Sequence, residues 1–143
     1  IGWVLGREDV IEALGRIKTN IDSGIFEAVQ YAGIEALTNP KNNIEATNNL
    51  YTERRDLLVE GLNKLGWNVD KNQASFYLWV EIPDKNYTSK EFSTHVFKET
   101  GVFFTPGNGY GEYGEGYIRI ALTVNKEQIK EALERLENNN LKY

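Results

Sequence analysis

Apolar positions along the chain move between the 3.6-residue period of a helix and the two-residue alternation of a strand, and that alternation sets the expected elements. Gly2 to Leu5 is a short apolar run that predicts a strand, and Val10, Ile11, Leu14 and Ile17 predict a helix over about 8–17. Asp22-Ser-Gly24 breaks the pattern, and Ser23 is placed to cap a second helix running from Ile25 towards Leu37, which Asn39-Pro40 should stop. Leu50, Leu57, Leu58, Leu62 and Leu65 mark a long amphipathic helix over 44–65, with Gly66 where a left-handed C-cap belongs. Trp67–Val69 and Ser75–Ile82 read as strands, the second setting Phe76, Leu78, Val80 and Ile82 against Tyr77, Trp79 and Glu81. Thr88-Ser-Lys-Glu91 has capping-box spacing ahead of a helix ending near Gly101. Strands over 102–105 and 117–123 follow, and Asn125 with Gln128 opens a last helix to about Leu136. Helices and strands in this order predict a small α/β sandwich.

One residue is out of place in that pattern. Arg119 lies among Tyr117, Ile118, Ile120 and Leu122, where an unpaired guanidinium would cost several kcal/mol, roughly, if buried. It therefore needs an anion, either an internal carboxylate or a ligand. Gly107, Gly109, Gly111, Gly114 and Gly116 precede it and favour the ligand, because glycine lets backbone approach another group closely. The string Gly109-x-Gly111 with Gly114 is not a dinucleotide fingerprint, since it leads into a strand rather than joining a strand to a helix.

Thr105-Pro-Gly through Arg119-Ile-Ala-Leu122 resembles the fold-type-I aminotransferases of class I and II that use pyridoxal phosphate, above all their LL-diaminopimelate and aspartate/alanine branch. Three further stretches carry the likeness over nearly the whole chain. Ile1-Gly-Trp-Val-Leu-Gly6 is similar to the strand after the cofactor lysine, Lys18-Thr-Asn-Ile-Asp-Ser-Gly24 to the interdomain loop, and Ala74-Ser-Phe-Tyr-Leu-Trp79 to the small-domain Gly-Ala-Phe-Tyr strand. The resemblance implies that residues 1–43 are a remnant of the large cofactor-binding domain and that 44–143 are the small C-terminal domain with its bridging helix. It implies that Arg119 grips the substrate α-carboxylate, a role suited to a planar fork, that Phe76 lies beside the substrate, and that Asn20 and Ser23 belong to a loop near the active site at the subunit interface. From the residues alone, Phe76 reads as core, and Asn20 and Ser23 read as simple helix capping. The family's Schiff-base lysine, phosphate-binding arginine, pyridine-nitrogen aspartate and ring-stacking aromatic all precede the Gly-Trp strand. The chain is thus expected to be a C-terminal piece, inactive alone and binding pyridoxal phosphate weakly, of a homodimeric enzyme that moves an amino group between an amino acid and a 2-oxo acid. A ligand-sensing module of the same shape, or a β-lyase, is the alternative.

Composition narrows the classes. The 143 residues are 41% hydrophobic and 12% aromatic, enough for a core. There is no cysteine and one histidine, which excludes disulfides and a histidine-rich metal site and suits a cytoplasmic protein. A net charge of -5 disfavours nucleic acid and anionic membrane as partners. No apolar run of eighteen residues and no signal peptide at Ile1 are visible. His95 and the acidic pairs Glu8/Asp9 and Glu131/Glu134 read as ordinary helix-surface residues, and Asn138–Asn140 as a fraying end. The helices over 8–37 are expected to carry apolar faces for a large domain.

Overall fold

The structure, a computed structural model, describes residues 1–39, 41 and 44–143. Pro40, the expected stop of the second helix, and Asn42 and Asn43 at the expected domain boundary lie outside the described residues. By its contacts the chain divides into two units, Ile1–Ile44 and Glu45–Tyr143.

The first unit holds helices α1 (Glu8–Ile21) and α2 (Glu27–Thr38). Neither contains a buried residue, and Val10, Leu14, Ile17, Phe26, Ile34 and Leu37 are exposed. The expected strand at Gly2–Leu5 does not form. A lone extended run has no ladder partner among the described residues, and sheet pairing is what would define it. Ser23 does not cap α2 either: the helix starts later, with Phe26 at its N-cap and no side-chain bond there. The break is instead closed by the Asp22 carboxylate, which accepts from the Gly24 N–H at 2.9 Å.

The second unit is one layer of helices against a three-stranded antiparallel sheet. Its helices are α3 (Ile44–Lys64), α4 (Ser89–Thr100) and α5 (Lys126–Asn138), and its strands β1 (Tyr77–Glu81), β2 (Thr105–Pro106) and β3 (Tyr117–Ala121), in the order β1-β3-β2. Register places Leu78 opposite Ile120 and Val80 opposite Ile118, and all four side chains are buried against Leu58, Val59 and Leu62 of α3, Phe92 and Val96 of α4, and Ile129 and Leu136 of α5. Both expected capping boxes are present, Thr88 with Glu91 and Asn125 with Gln128. Gly66 and Gly101 take the left-handed conformation, φ 86° and 72°. Asn125→Ala is expected to cost about 1 kcal/mol, read as a lower urea midpoint at an unchanged slope.

Three expected elements differ. Trp67–Val69 is not a strand, because the Asn63 side chain takes the ladder's place. Its amide donates to the Val69 carbonyl at 3.0 Å and its oxygen accepts from the Val69 N–H at 2.8 Å. Of the run at 102–105 only Thr105 pairs, together with Pro106 in β2, since the Thr100 hydroxyl captures the Val102 N–H at 3.0 Å. The end of the chain is tied down rather than frayed: the Tyr143 N–H donates to the Leu65 carbonyl at 2.8 Å, and the Trp67 indole N–H to the Leu141 carbonyl at 3.1 Å.

Candidate functional site

The face of the sheet turned away from the helices carries Tyr77, Trp79 and Glu81 of β1, Tyr117, Arg119 and Ala121 of β3, and Thr105 of β2, because directly opposed residues of antiparallel strands share a face. Arg119 sits in the middle row, with Trp79 on one side and Thr105 on the other. Its guanidinium carbon lies 4.1 Å from the centre of the Tyr77 ring and 4.3 Å from that of Tyr110. Among the described residues no carboxylate stands within ion-pair distance of it. The internal-partner reading of Arg119 therefore fails. The residue is half-buried, and ring faces rather than an anion hold it.

The aromatic surround continues outward. Trp79 stacks on Tyr117 with centroids 5.7 Å apart at 19° and meets Tyr110 edge-on at 5.9 Å. The two rings offer the guanidinium no carboxylate oxygen, so its fork of N–H donors is the place where an anion can bind, and that fork suits a two-oxygen carboxylate. None of the strand residues on this face is a lysine, so these residues fit a carboxylate and not, by themselves, a group held as a Schiff base.

Phe76 is 41% exposed, which corrects its reading as core. Two local devices turn it outward. Ser75, immediately before it, has φ 76°, a strained value for a residue with a Cβ. The Asn72 amide donates to the carbonyls of Ala74, Ser75 (3.3 Å) and Tyr77 (2.9 Å), folding the turn ahead of β1. Phe76 then packs on Tyr77 at 4.5 Å and Tyr51 at 5.8 Å, on the rim of a hollow of about 730 Å³ lined also by Asn48, Arg55 and Asn72. Arg119 and Phe76 are thus linked through the ring of Tyr77. A second cleft, of about 420 Å³, lies between Gly101–Thr105 and α5 and is lined by two arginines: Arg119 itself, and Arg135, which is engaged by Glu131 at 2.6 Å and the Thr100 carbonyl at 3.3 Å.

Asn20 and Ser23 lie in the 1–44 unit and are exposed, and the Asn20 amide donates to the Arg16 carbonyl at 2.7 Å within its own helix. Tyr77, Trp79, Tyr110 and Tyr117 were not singled out from the sequence. The alternation of β1 carried a signal for two of them, since Tyr77 and Trp79 fall opposite in parity to Leu78 and Val80.

Ahead of β3 the backbone makes two 3-10 turns, Gly107–Tyr110 and Glu112–Gly114. A Cβ on Gly107 would overlap the Gly114 carbonyl, and one on Gly114 the Gly107 carbonyl, so the two ends of the loop touch main chain to main chain. Glu115 has its carboxyl held below the ordinary range, first by the Ser89 N–H and further by the Gly116 N–H and the Ser89 and Asn108 side chains. Glu91 is lowered likewise by the N–H and hydroxyl of Thr88. A depressed folded value means stability present above the unfolded pKa, about 4.3, and lost as pH falls through the folded value. The urea-midpoint gap between wild type and Glu115→Ala is therefore expected at pH 7 and should close as the pH drops below about 4.

Comparison with known proteins gives this geometry a family. A sequence model described as aminotransferase class I and II matches residues 1–136. An LL-diaminopimelate aminotransferase from Halothermothrix orenii is 69% identical over 143 residues, all of this chain and 36% of that protein. The enzyme of that name from Moorella thermoacetica is 58% identical over 136 residues, 95% of this chain and 35% of its own. Among solved structures, substrate-bound BacF from Bacillus subtilis superposes with a TM-score of 0.84 at 31% identity, covering 97% of this chain and 36% of that one. A Thermus thermophilus aspartate aminotransferase tetra mutant gives 0.82 at 26%, over 94% and 37%. The chain spans about a third of the length of the curated relatives it matches.

Proposed function

Because the chain belongs to the class I and II aminotransferases, we propose that its 45–143 unit supplies the substrate-carboxylate clamp of a pyridoxal-phosphate aminotransferase, with Arg119 as the clamp and Phe76 as a contact beside the substrate. The observation that carries this is the Arg119 guanidinium, seated against two tyrosine rings with no carboxylate beside it among the described residues. The work falls to a protein of the relatives' length that carries this sequence, where the cofactor supplies an electron sink and is held by residues other than these. Arg119 binds the α-carboxylate, and the rings around it exclude water from that ion pair and strengthen it. Names of the relatives favour amino-group transfer over a lyase or sensing role and point to LL-diaminopimelate as the amino donor, with a 2-oxo acid as acceptor. Asn20 and Ser23 are kept as interface-loop candidates on the cofactor side.

The same reading places the enzyme in the cytoplasm as a homodimer. Among the described residues no helix is long and apolar enough to cross a membrane, and the exposed apolar positions of α1 and α2 are material for burial by further protein.

The test is an exchange assay on the relatives'-length protein loaded with pyridoxal phosphate. Conversion of a 2-oxo acid to its amino acid, dependent on LL-diaminopimelate, is expected. Spectroscopically bound cofactor with no exchange from any α-amino donor would sink the reading.

A further inference from the structure

Ser89 is 0% exposed although it is polar and opens a helix. Its hydroxyl oxygen accepts from the Gly116 N–H at 2.8 Å and the Tyr117 N–H at 3.2 Å, and it donates to the Gly114 carbonyl at 3.4 Å. In return, the Ser89 N–H donates to the Glu115 carboxylate at 2.7 Å, and the same oxygen accepts from the Gly116 N–H at 3.1 Å. Two side chains therefore join the first turn of α4 to the stem of the glycine-rich loop. That loop carries Tyr110, which touches both Arg119 and Trp79.

Neither Ser89 nor Glu115 is among the groups against the guanidinium, but each bears on the loop that delivers one of its two rings. Ten residues, four of them glycine besides Gly116, would sample many conformations if the stem were free, and Tyr110 would then leave the guanidinium for most of the time. With the stem pinned at Gly114, Gly116 and Tyr117 and the loop ends in contact at Gly107 and Gly114, the ring has a fixed base. A side chain preorganised before a ligand arrives loses less freedom on binding it.

We propose that Ser89 and Glu115 are positioning residues for Arg119, acting through the stem of the 107–116 loop to hold the Tyr110 ring against the guanidinium. The proposal rests on the carboxylate-clamp reading for its functional consequence, and its geometric part stands apart from it. Two measurements separate them. In this 143-residue chain, the side-chain NMR signals of Arg119 report the ring currents of Tyr77 and Tyr110, and Tyr110→Leu calibrates the loss of one ring. Ser89→Ala and Glu115→Ala are expected to reproduce more than half of the Tyr110→Leu shift, with Glu115→Gln, which keeps an acceptor oxygen, nearer wild type. Glu115 is exposed, so its variants leave the core intact and keep the test meaningful even if Ser89→Ala fails to fold. In the relatives'-length enzyme, Glu115→Ala should raise the KM for the amino donor about five- to twenty-fold with kcat changed less than about three-fold, and Glu115→Gln should recover most of it. Arg119 signals that stay at wild-type positions in Glu115→Ala, while Tyr110→Leu moves them, would overturn the proposal. Shifted signals with an unaltered KM would uphold the latch and refute the clamp reading.

Discussion

Arg119→Lys is expected to lower kcat/KM for the amino donor by about thirty- to a thousand-fold in the relatives'-length enzyme, the equivalent of about 2–4 kcal/mol of transition-state stabilisation. Lysine keeps the charge but loses the flat fork, and it also loses the guanidinium carbon that lies over the Tyr77 and Tyr110 rings. Stability should fall by less, about 0.5–2 kcal/mol for the two ring contacts, since no internal ion pair is broken among the described residues. Cofactor binding should survive. Steady-state kinetics beside a urea titration of the same preparation separates the effects. A variant that unfolds readily yet keeps wild-type activity per folded molecule would make Arg119 a structural residue.

The largest loss of stability is expected at Trp67→Ala, about 3–5 kcal/mol, out of a total of about 5–15 typical for a domain. Trp67 is 1% exposed and packs edge-on against Phe92 at 5.5 Å, Phe104 at 5.9 Å and Tyr143 at 6.0 Å. Its indole N–H also holds the chain end at the Leu141 carbonyl. Truncation removes the hub of an aromatic cluster and orphans that carbonyl at the same time. Trp67→Phe, which restores ring volume without the N–H, should recover the larger part. Equal urea midpoints for the alanine variant and wild type would show that the cluster does not hold the unit together.

The helices of the second unit were legible because their signals are local. Thr88 with Glu91, Asn125 with Gln128, and the glycines at 66 and 101 each state a boundary within a few residues, and the structure uses all of them. Strands were legible where alternation could be matched to a buried face, as in β1 and β3. They were over-read where a polar side chain competes for the ladder, as Asn63 does at Val69 and Thr100 at Val102. No count of apolar residues exposes that competition, because it depends on a helix ending next to the extended segment. Arg119 stood out from its strand, but its surround did not. Tyr110 reaches it from a loop nine residues earlier, through a backbone path made of glycines and two 3-10 turns, a conformation that sequence periodicity does not encode. Phe76 shows the reverse: period placed it with Leu78 and Val80, and one residue of positive φ before it took it out of the core.

The closeness of Trp79 to Tyr110 and Tyr117 gives the site its own optical probe. An indole that is 46% exposed and shares a row with Arg119 emits from a more polar setting than Trp67, which is sealed in the core. Its emission should respond to whatever settles on the guanidinium edge, so occupancy can be followed by light alone, with no label and no turnover. A Trp79→Phe chain, which keeps Trp3 and Trp67, supplies the blank against which the Trp79 signal is read.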